Sequence, residues 1–132
     1  MRTSNTDSKI FFHGVNNYFE NVGGYAFDID TNTWVLLEGN YFDNVTTPMT
    51  ETSLDSGALI YNVPTADAAS ACKDSLGYIC EWNKLEDSGD WTARTDEEVL
   101  TQVKGYTGSL VDHESVDDVS EDVVANAGVG KL

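Results

Sequence analysis

At 132 residues the chain has room for one domain, and 40% hydrophobic content with 11% aromatics supplies the material for a packed core. Seven basic against 23 acidic residues leave a net charge of −16, which repels nucleic acid and anionic lipid, since both are held through Lys/Arg clusters that are lacking here. A neutral or cationic partner is favoured, and no apolar run is long enough to span a bilayer as a helix, so no membrane role is expected.

In chain order, the opening "MRTSNTDSKIFFHG" does not read as a signal peptide, because Ile10-Phe11-Phe12 is too short for its apolar region. A repeat follows. Asn17-Tyr18-Phe19-Glu20-Asn21-Val22 lies over Asn40-Tyr41-Phe42-Asp43-Asn44-Val45, 23 residues on, with five of six positions identical and one acid exchanged for another. Between the copies, "YAFDID" reads as a short strand closed by the turn-like "DTNT". "WVLLEGNYFDNV" reads as two short strands hinged at Gly39-Asn40. A weaker third instance places Leu59-Ile60 at the same interval after Leu36-Leu37. Three strands and three turns per 23 residues, with no helical stretch between, describe one coil of a parallel β-helix and exclude a βαβ unit. In such coils Phe19 stacks on Phe42 and Val22 on Val45. Asn17 over Asn40, or Asn21 over Asn44, forms an amide ladder that satisfies backbone groups inside the bends.

The fold expected is therefore all-β: parallel β-helix coils over residues 1–63, with a C-terminal tail over 64–132 packed on them in the same domain. Within the tail, residues 64–94 read as irregular. "TDEEVLTQVKG" predicts a short helix with Thr95 as N-cap, Glu98 in the capping box, an apolar face of Val99, Leu100 and Val103, and Gly105 as its stop. "SVDDVSEDVVANAG" predicts a second, with Val116, Val119 and Val123 on one face and an end at Gly128. The tail is expected to cover one end of the solenoid. Cys72 and Cys80 lack a C-x-x-C spacing and matched histidines, so a local disulfide is expected in preference to a zinc site, and with it an oxidising compartment.

Candidate chemistry is sparse. Asp28, Asp30 and Asn32 alternate as at the start of an EF-hand, but Thr33 stands where its glycine belongs and Gly39 where its closing acid belongs. Asp28 and Glu51 fall one repeat apart and would be weak candidates for a cation site if they stacked; no metal is otherwise expected. His13 and His113 have no Ser or Cys at triad spacing, and His13 reads as a strand residue. Asn44-Val45-Thr46 has the form of a glycosylation sequon, yet it falls in the repeat, where a ladder asparagine is expected to be buried.

One resemblance adds to these readings. His13-Gly14-Val15-Asn16-Asn17, then Gly24-Tyr25-Ala26-Phe27-Asp28-Ile29, then Val35-Leu36-Leu37-Glu38-Gly39-Asn40 resembles the late coils of fungal and oomycete pectin lyases, of the pectate lyase superfamily (polysaccharide lyase family 1). There the corresponding stretches read His-Ala-Val-Asn-Asn, Gly-His-Ala-Phe-Glu-Ile and Val-Leu-Ala-Glu-Gly-Asn. "GALIYNVPTADAASACKDSLGYIC" and the terminal "VVANAGVGKL" are similar to that family's last strand, closing Cys pair and Asn-Ala-Gly-x-Gly ending. The resemblance implies a right-handed parallel β-helix of which this chain holds the last two to three coils. It implies a secreted, monomeric full-length enzyme that cleaves methyl-esterified homogalacturonan (pectin) by β-elimination without a cofactor. It also implies that Arg2 is the catalytic base, since that family's base stands eleven residues before the strand-end His13; Met1 and Ser4 replace its flanking Gly and Pro. The supporting catalytic groups of that family come from earlier coils, so the isolated chain is expected to be an inactive, truncated piece. Two alternatives are a calcium-dependent pectate lyase and a non-catalytic β-helix remnant or glycan-binding module.

Overall fold

Side-chain stacking at a 23-residue interval organises the molecule. A computed structural model describes residues 1–3 and 7–130; Ser4, Asn5, Thr6, Lys131 and Leu132 lie outside the described residues. The first coil runs β1 (Ile10–Val15), β2 (Tyr18–Glu20) and β3 (Tyr25–Phe27). The second runs β4 (Thr33–Glu38), β5 (Tyr41–Asp43) and β6 (Thr47–Met49). After a short helix, α1 (Glu51–Asp55), β7 (Leu59–Tyr61) adds one more strand. The strands pair in parallel as β1-β4-β7, β2-β5-β8 and β3-β6, where β8 is Lys84–Glu86, so the coils form a parallel β-helix.

The inward faces carry the core. Phe19 stacks on Phe42 with ring centroids 5.3 Å apart and planes 8° from parallel. Phe27 meets both edge-on, and Trp91 covers Phe42 at 5.1 Å. Val35, Leu37, Val45 and Ile60 complete the interior with no solvent exposure. Each such side chain contributes roughly 1.5–3 kcal/mol by leaving water.

Register departs from expectation at β7. Val35 pairs with Ile60 and Trp34 with Leu59, an interval of 25, where the sequence suggested Leu36 with Leu59. The extra length is taken up by α1, which replaces a simple bend and is capped by the Thr50 hydroxyl accepting from the Ser53 amide. A shift of two residues preserves the inward face, so Ile60 still enters the core.

Corners are held by asparagines. Asn17 Nδ2 donates to Asn40 Oδ1 at 2.8 Å, and Asn40 Nδ2 to Asn83 Oδ1 at 2.8 Å, giving a three-rung ladder. Asn83-Lys84-Leu85-Glu86 is thus the third copy of Asn40-Tyr41-Phe42-Asp43, displaced by the intervening tail. At the next corner Asn21, Asn44 and Asp87 take left-handed φ values of 54°, 54° and 46°, a conformation that Asn and Asp tolerate better than other side chains bearing a Cβ.

The tail departs from expectation at several points. Residues 64–94 hold an eleven-residue helix, α2 (Ala66–Leu76), N-capped by Thr65 and closed by Gly77 at φ 85°. Its alanine-rich, weakly apolar sequence hides it, but Ala68, Ala69, Cys72 and Leu76 are buried against Leu36 and Tyr61. Helix α3 (Glu97–Val103) begins after Asp96, not Thr95. Thr95 bridges Tyr61 in antiparallel fashion, while the Asp96 carboxylate accepts from the Ile60 amide at 2.8 Å. Gly105 does not stop the chain, which continues as a 3-10 turn over Lys104–Ser109. Val116 precedes α4 (Val119–Asn126) and is buried with Val119 against Tyr41. The helices therefore line the flanks of the solenoid. With α2 and α3 over its outer face and the solenoid core against its inner face, β4 is buried nearly throughout. Cys72 and Cys80 form the expected disulfide, Cα atoms 5.7 Å apart, tying α2 to the segment that leads into β8.

Candidate functional site

Arg2 pairs in parallel with Asp28, immediately beyond the end of β3, which brings its side chain onto the outer face of the β3–β6 sheet. The guanidinium is open to solvent, with 67% of the side chain exposed, and its Nε lies 3.3 Å from Asp28 Oδ2. Asp28 is itself gripped from the next coil. Its Oδ1 accepts from the Thr50 hydroxyl at 3.0 Å and the Thr52 hydroxyl at 3.3 Å. Behind them, Ser53 Oγ contacts Thr50 Oγ1 at 2.7 Å and accepts from the Ile29 amide at 2.7 Å. A cleft of about 260 Å³ opens here, lined by Arg2, Asp28, Ile29, Asp30, Thr52 and Ser56.

The geometry provides a solvent-facing cation whose direction is fixed by a carboxylate, which in turn has little freedom. An arginine so placed can contact an anionic or polar substrate. Asp28 orients the guanidinium but is no proton acceptor for a substrate C–H here, so proton abstraction needs further groups around Arg2.

Glu51 does not join Asp28. Phe27 pairs with Met49, so Thr50 follows in register beside Asp28, and Glu51 is exposed at the start of α1. Among the described residues no group of three or more His, Cys, Asp or Glu is arranged to hold a metal ion.

The histidines lie elsewhere. His13 Nε2 is 2.8 Å from Glu38 Oε1, and Glu38 is fully buried beneath the segment that follows α2. Tyr78 donates its hydroxyl to the same oxygen at 2.7 Å, and the Glu81 amide donates to Oε2 at 3.1 Å. Burial, together with the neighbouring Glu38 charge, pushes the Tyr78 hydroxyl pKa well above its ordinary value. His113 packs on the Tyr78 ring at 5.3 Å and donates from Nε2 to the Ile79 carbonyl. This is a polar brace between coil and tail.

Sequence reasoning did not find Thr50, Thr52 or Ser53. Their signal was present in "TTPMTETS", a hydroxyl-rich run directly after the repeated Asn44-Val45 and one coil beyond Asp28.

Comparison with known proteins agrees with this architecture. The family model for pectate lyase matches residues 9–132. The chain is 70% identical over its whole length to a probable pectin lyase F-1 of Aspergillus terreus, 64% to a probable pectin lyase E of Aspergillus fumigatus and 63% to a probable pectin lyase F of Neosartorya fischeri. In each case it spans 34% of the relative's length. With the family model matching residues 9–132 and the parallel coil register consistent with it, the chain belongs to the pectate lyase family.

Proposed function

We propose that this chain forms the closing coils of a pectin lyase that cleaves methyl-esterified homogalacturonan by β-elimination, with Arg2 as the group that takes the C5 proton. The observation that carries the reading is the placement of Arg2 on an open sheet face beside a cleft, oriented by Asp28 from the next coil. The names of the relatives, each a probable pectin lyase, point to the same substrate.

In that reaction the base removes the C5 proton of a galacturonosyl methyl ester, and negative charge spreads onto the ester carbonyl. The bond from C4 to the glycosidic oxygen then breaks, leaving a 4,5-unsaturated sugar end, and water is not consumed. A neutral ester accepts that charge more readily than a carboxylate would, so no calcium is required to neutralise the substrate. The field of a chain with net charge −16 also opposes a bare polyuronate more than an esterified one. Arginine ordinarily loses its proton only above pH 12, so it needs neighbours that bias it toward proton abstraction. Those would come from the part of a longer protein that lies outside this stretch, which spans 34% of the relatives' length. Secretion follows from the same reading and is supported by the Cys72–Cys80 disulfide, a bond suited to an oxidising compartment.

The test is a chimera in which this chain replaces the matching third of the Aspergillus terreus relative, assayed for unsaturated product by ultraviolet absorbance. The expected result is chelator-resistant activity on methylated pectin that falls about 10²–10⁴-fold in Arg2→Ala. The 132-residue chain alone is expected to give no product. Undiminished activity in Arg2→Ala would remove Arg2 from the chemistry. Activity confined to demethylated substrate and abolished by chelator would replace the reading with a calcium-dependent pectate lyase. Saturable pectin binding without product would leave a glycan-binding module.

A further inference from the structure

The two asparagine ladders use their amides differently. Asn40 is fully buried, and both N–H bonds of its Nδ2 are engaged, with Gly14 O at 2.9 Å and Asn83 Oδ1 at 2.8 Å. Asn44, one corner further on, is exposed. Its Nδ2 makes one bond, to Asn21 Oδ1 at 2.7 Å, and the second N–H has no acceptor among the described residues. The expectation that a ladder position buries Asn44 therefore fails: the ladder forms, but on the outside of the turn.

Asn44-Val45-Thr46 is also the single Asn-x-Ser/Thr tripeptide in the sequence. Val45 points into the core with no exposure, while Asn44 and Thr46 on either side of it are both open to solvent. The backbone there is pinned to neighbouring strands, Asn44 N to Glu86 O at 3.0 Å and Thr46 N to Val22 O at 3.0 Å. The tripeptide is thus a rigid turn with its acceptor amide outermost.

We propose that Asn44 is an N-glycosylation site, which rests on the secretory route proposed above. The donor class is a lipid-diphosphate-linked oligosaccharide. Asn44 Nδ2 bonds to the anomeric carbon of the first sugar, the bond from that carbon to the diphosphate oxygen breaks, and the lipid diphosphate departs. The transferase's base takes one amide proton. One N–H remains on Nδ2, enough to keep the bond to Asn21 Oδ1, so the corner holds its structure with the glycan attached. Asn44 precedes β6 and Thr50 follows it, so the sequon sits at the opposite end of that strand from the Arg2 cleft.

The experiment expresses the full 132-residue chain behind a yeast secretion leader, which forces the route and so tests the site independently of the natural one. Intact mass is read in both medium and microsomal fractions, so retention in the cell does not hide the result. The expected result is a mass increase removed by N-glycanase, kept in Thr46→Ser and absent in Asn44→Gln and Thr46→Ala. An unmodified chain in both fractions overturns the proposal, as does a modification that survives Asn44→Gln. In the chimera described above, Asn44→Gln is expected to leave lyase activity within about twofold, since the glycan lies off the cleft.

Discussion

Two flanks of the same solenoid each set a basic side chain against an acid from the following coil, and burial separates their roles. At one, His13 meets Glu38 at 2.8 Å, with 9% of the histidine side chain and none of the glutamate exposed. At the other, Arg2 meets Asp28 at 3.3 Å with two thirds of the arginine in solvent. Parallel coils make such pairs available wherever the register matches. The tail covers the first pair and so makes it part of the core, where a carboxylate must have every partner in place. Nothing among the described residues covers the second, which remains free to meet a substrate. Position in the coil supplies the pairing, and the tail's route decides which pair is structural.

The largest effect should come from breaking the covered pair. Glu38→Ala strands the His13 ring, the Tyr78 hydroxyl and the Glu81 amide in a low-dielectric site. A loss of about 3–5 kcal/mol is expected, enough to abolish a cooperative urea transition in a domain of this size. A Glu38→Ala chain that unfolded at the wild-type midpoint would show that the brace carries no stability. Next in size is the contrast between the ladders. Asn40→Ala removes the acceptor of the Asn17 backbone and side-chain amides and the donor to the Gly14 carbonyl and Asn83 Oδ1 inside the bend, for a cost of about 2–4 kcal/mol. Asn44→Ala removes one exposed bond and a residue suited to φ 54°, so about 1 kcal/mol is expected by the same urea assay.

Asparagine positions also mark how far the sequence could be read. Asn17, Phe19, Asn40 and Phe42 announce their roles because a stacked coil keeps the same residue at the same height, so the repeat and its contacts are one fact. The third rung was equally present in Asn83-Lys84-Leu85-Glu86. It escaped notice because 43 residues, not 23, separate it from Asn40 and the aromatic pair has become Lys-Leu. The tail offers no period to follow. Helix α2 is built on alanines, and its burial depends on Leu36 and Tyr61, which no local pattern in residues 64–94 names. At the open flank Asp28 was legible as an acid but not as Arg2's partner by residue pattern alone. The register between them is 26 residues, outside the repeat interval, and the contact follows from strand pairing.

Alkaline pH should sharpen the distinction between covered and open flanks. The raised pKa of Tyr78, from burial and then from Glu38, keeps it protonated in the fold, while in the unfolded chain it ionises near pH 10. Above that value the unfolded state binds fewer protons than the folded one, so stability is full below about pH 10 and declines as pH rises past it. Tyr41, raised chiefly by its hydrogen bond to Glu86 and next by burial, acts in the same direction. On the order of 1 kcal/mol from Tyr78 should be lost by about pH 11, read as a falling urea midpoint. Tyr78→Phe should flatten that slope; an unchanged slope would place the titration elsewhere.

The smallest change in stability belongs to the open pair. Asp28→Asn keeps both hydroxyl contacts from Thr50 and Thr52 possible and removes only the attraction for an arginine that is mostly solvated. Less than about 1 kcal/mol of stability is expected to be lost. In the lyase chimera, however, the guanidinium would no longer be held toward one side of the cleft. Misplacement of a reacting group by an ångström can cost about 100-fold, so kcat should fall about 10- to 100-fold with KM little changed. A residue that only supported the fold would lower the urea midpoint and activity together. A residue that aims Arg2 would lower kcat alone. A stable Asp28→Asn protein of full activity would mean that the pairing is incidental, and that coil register alone brings Arg2 to the cleft.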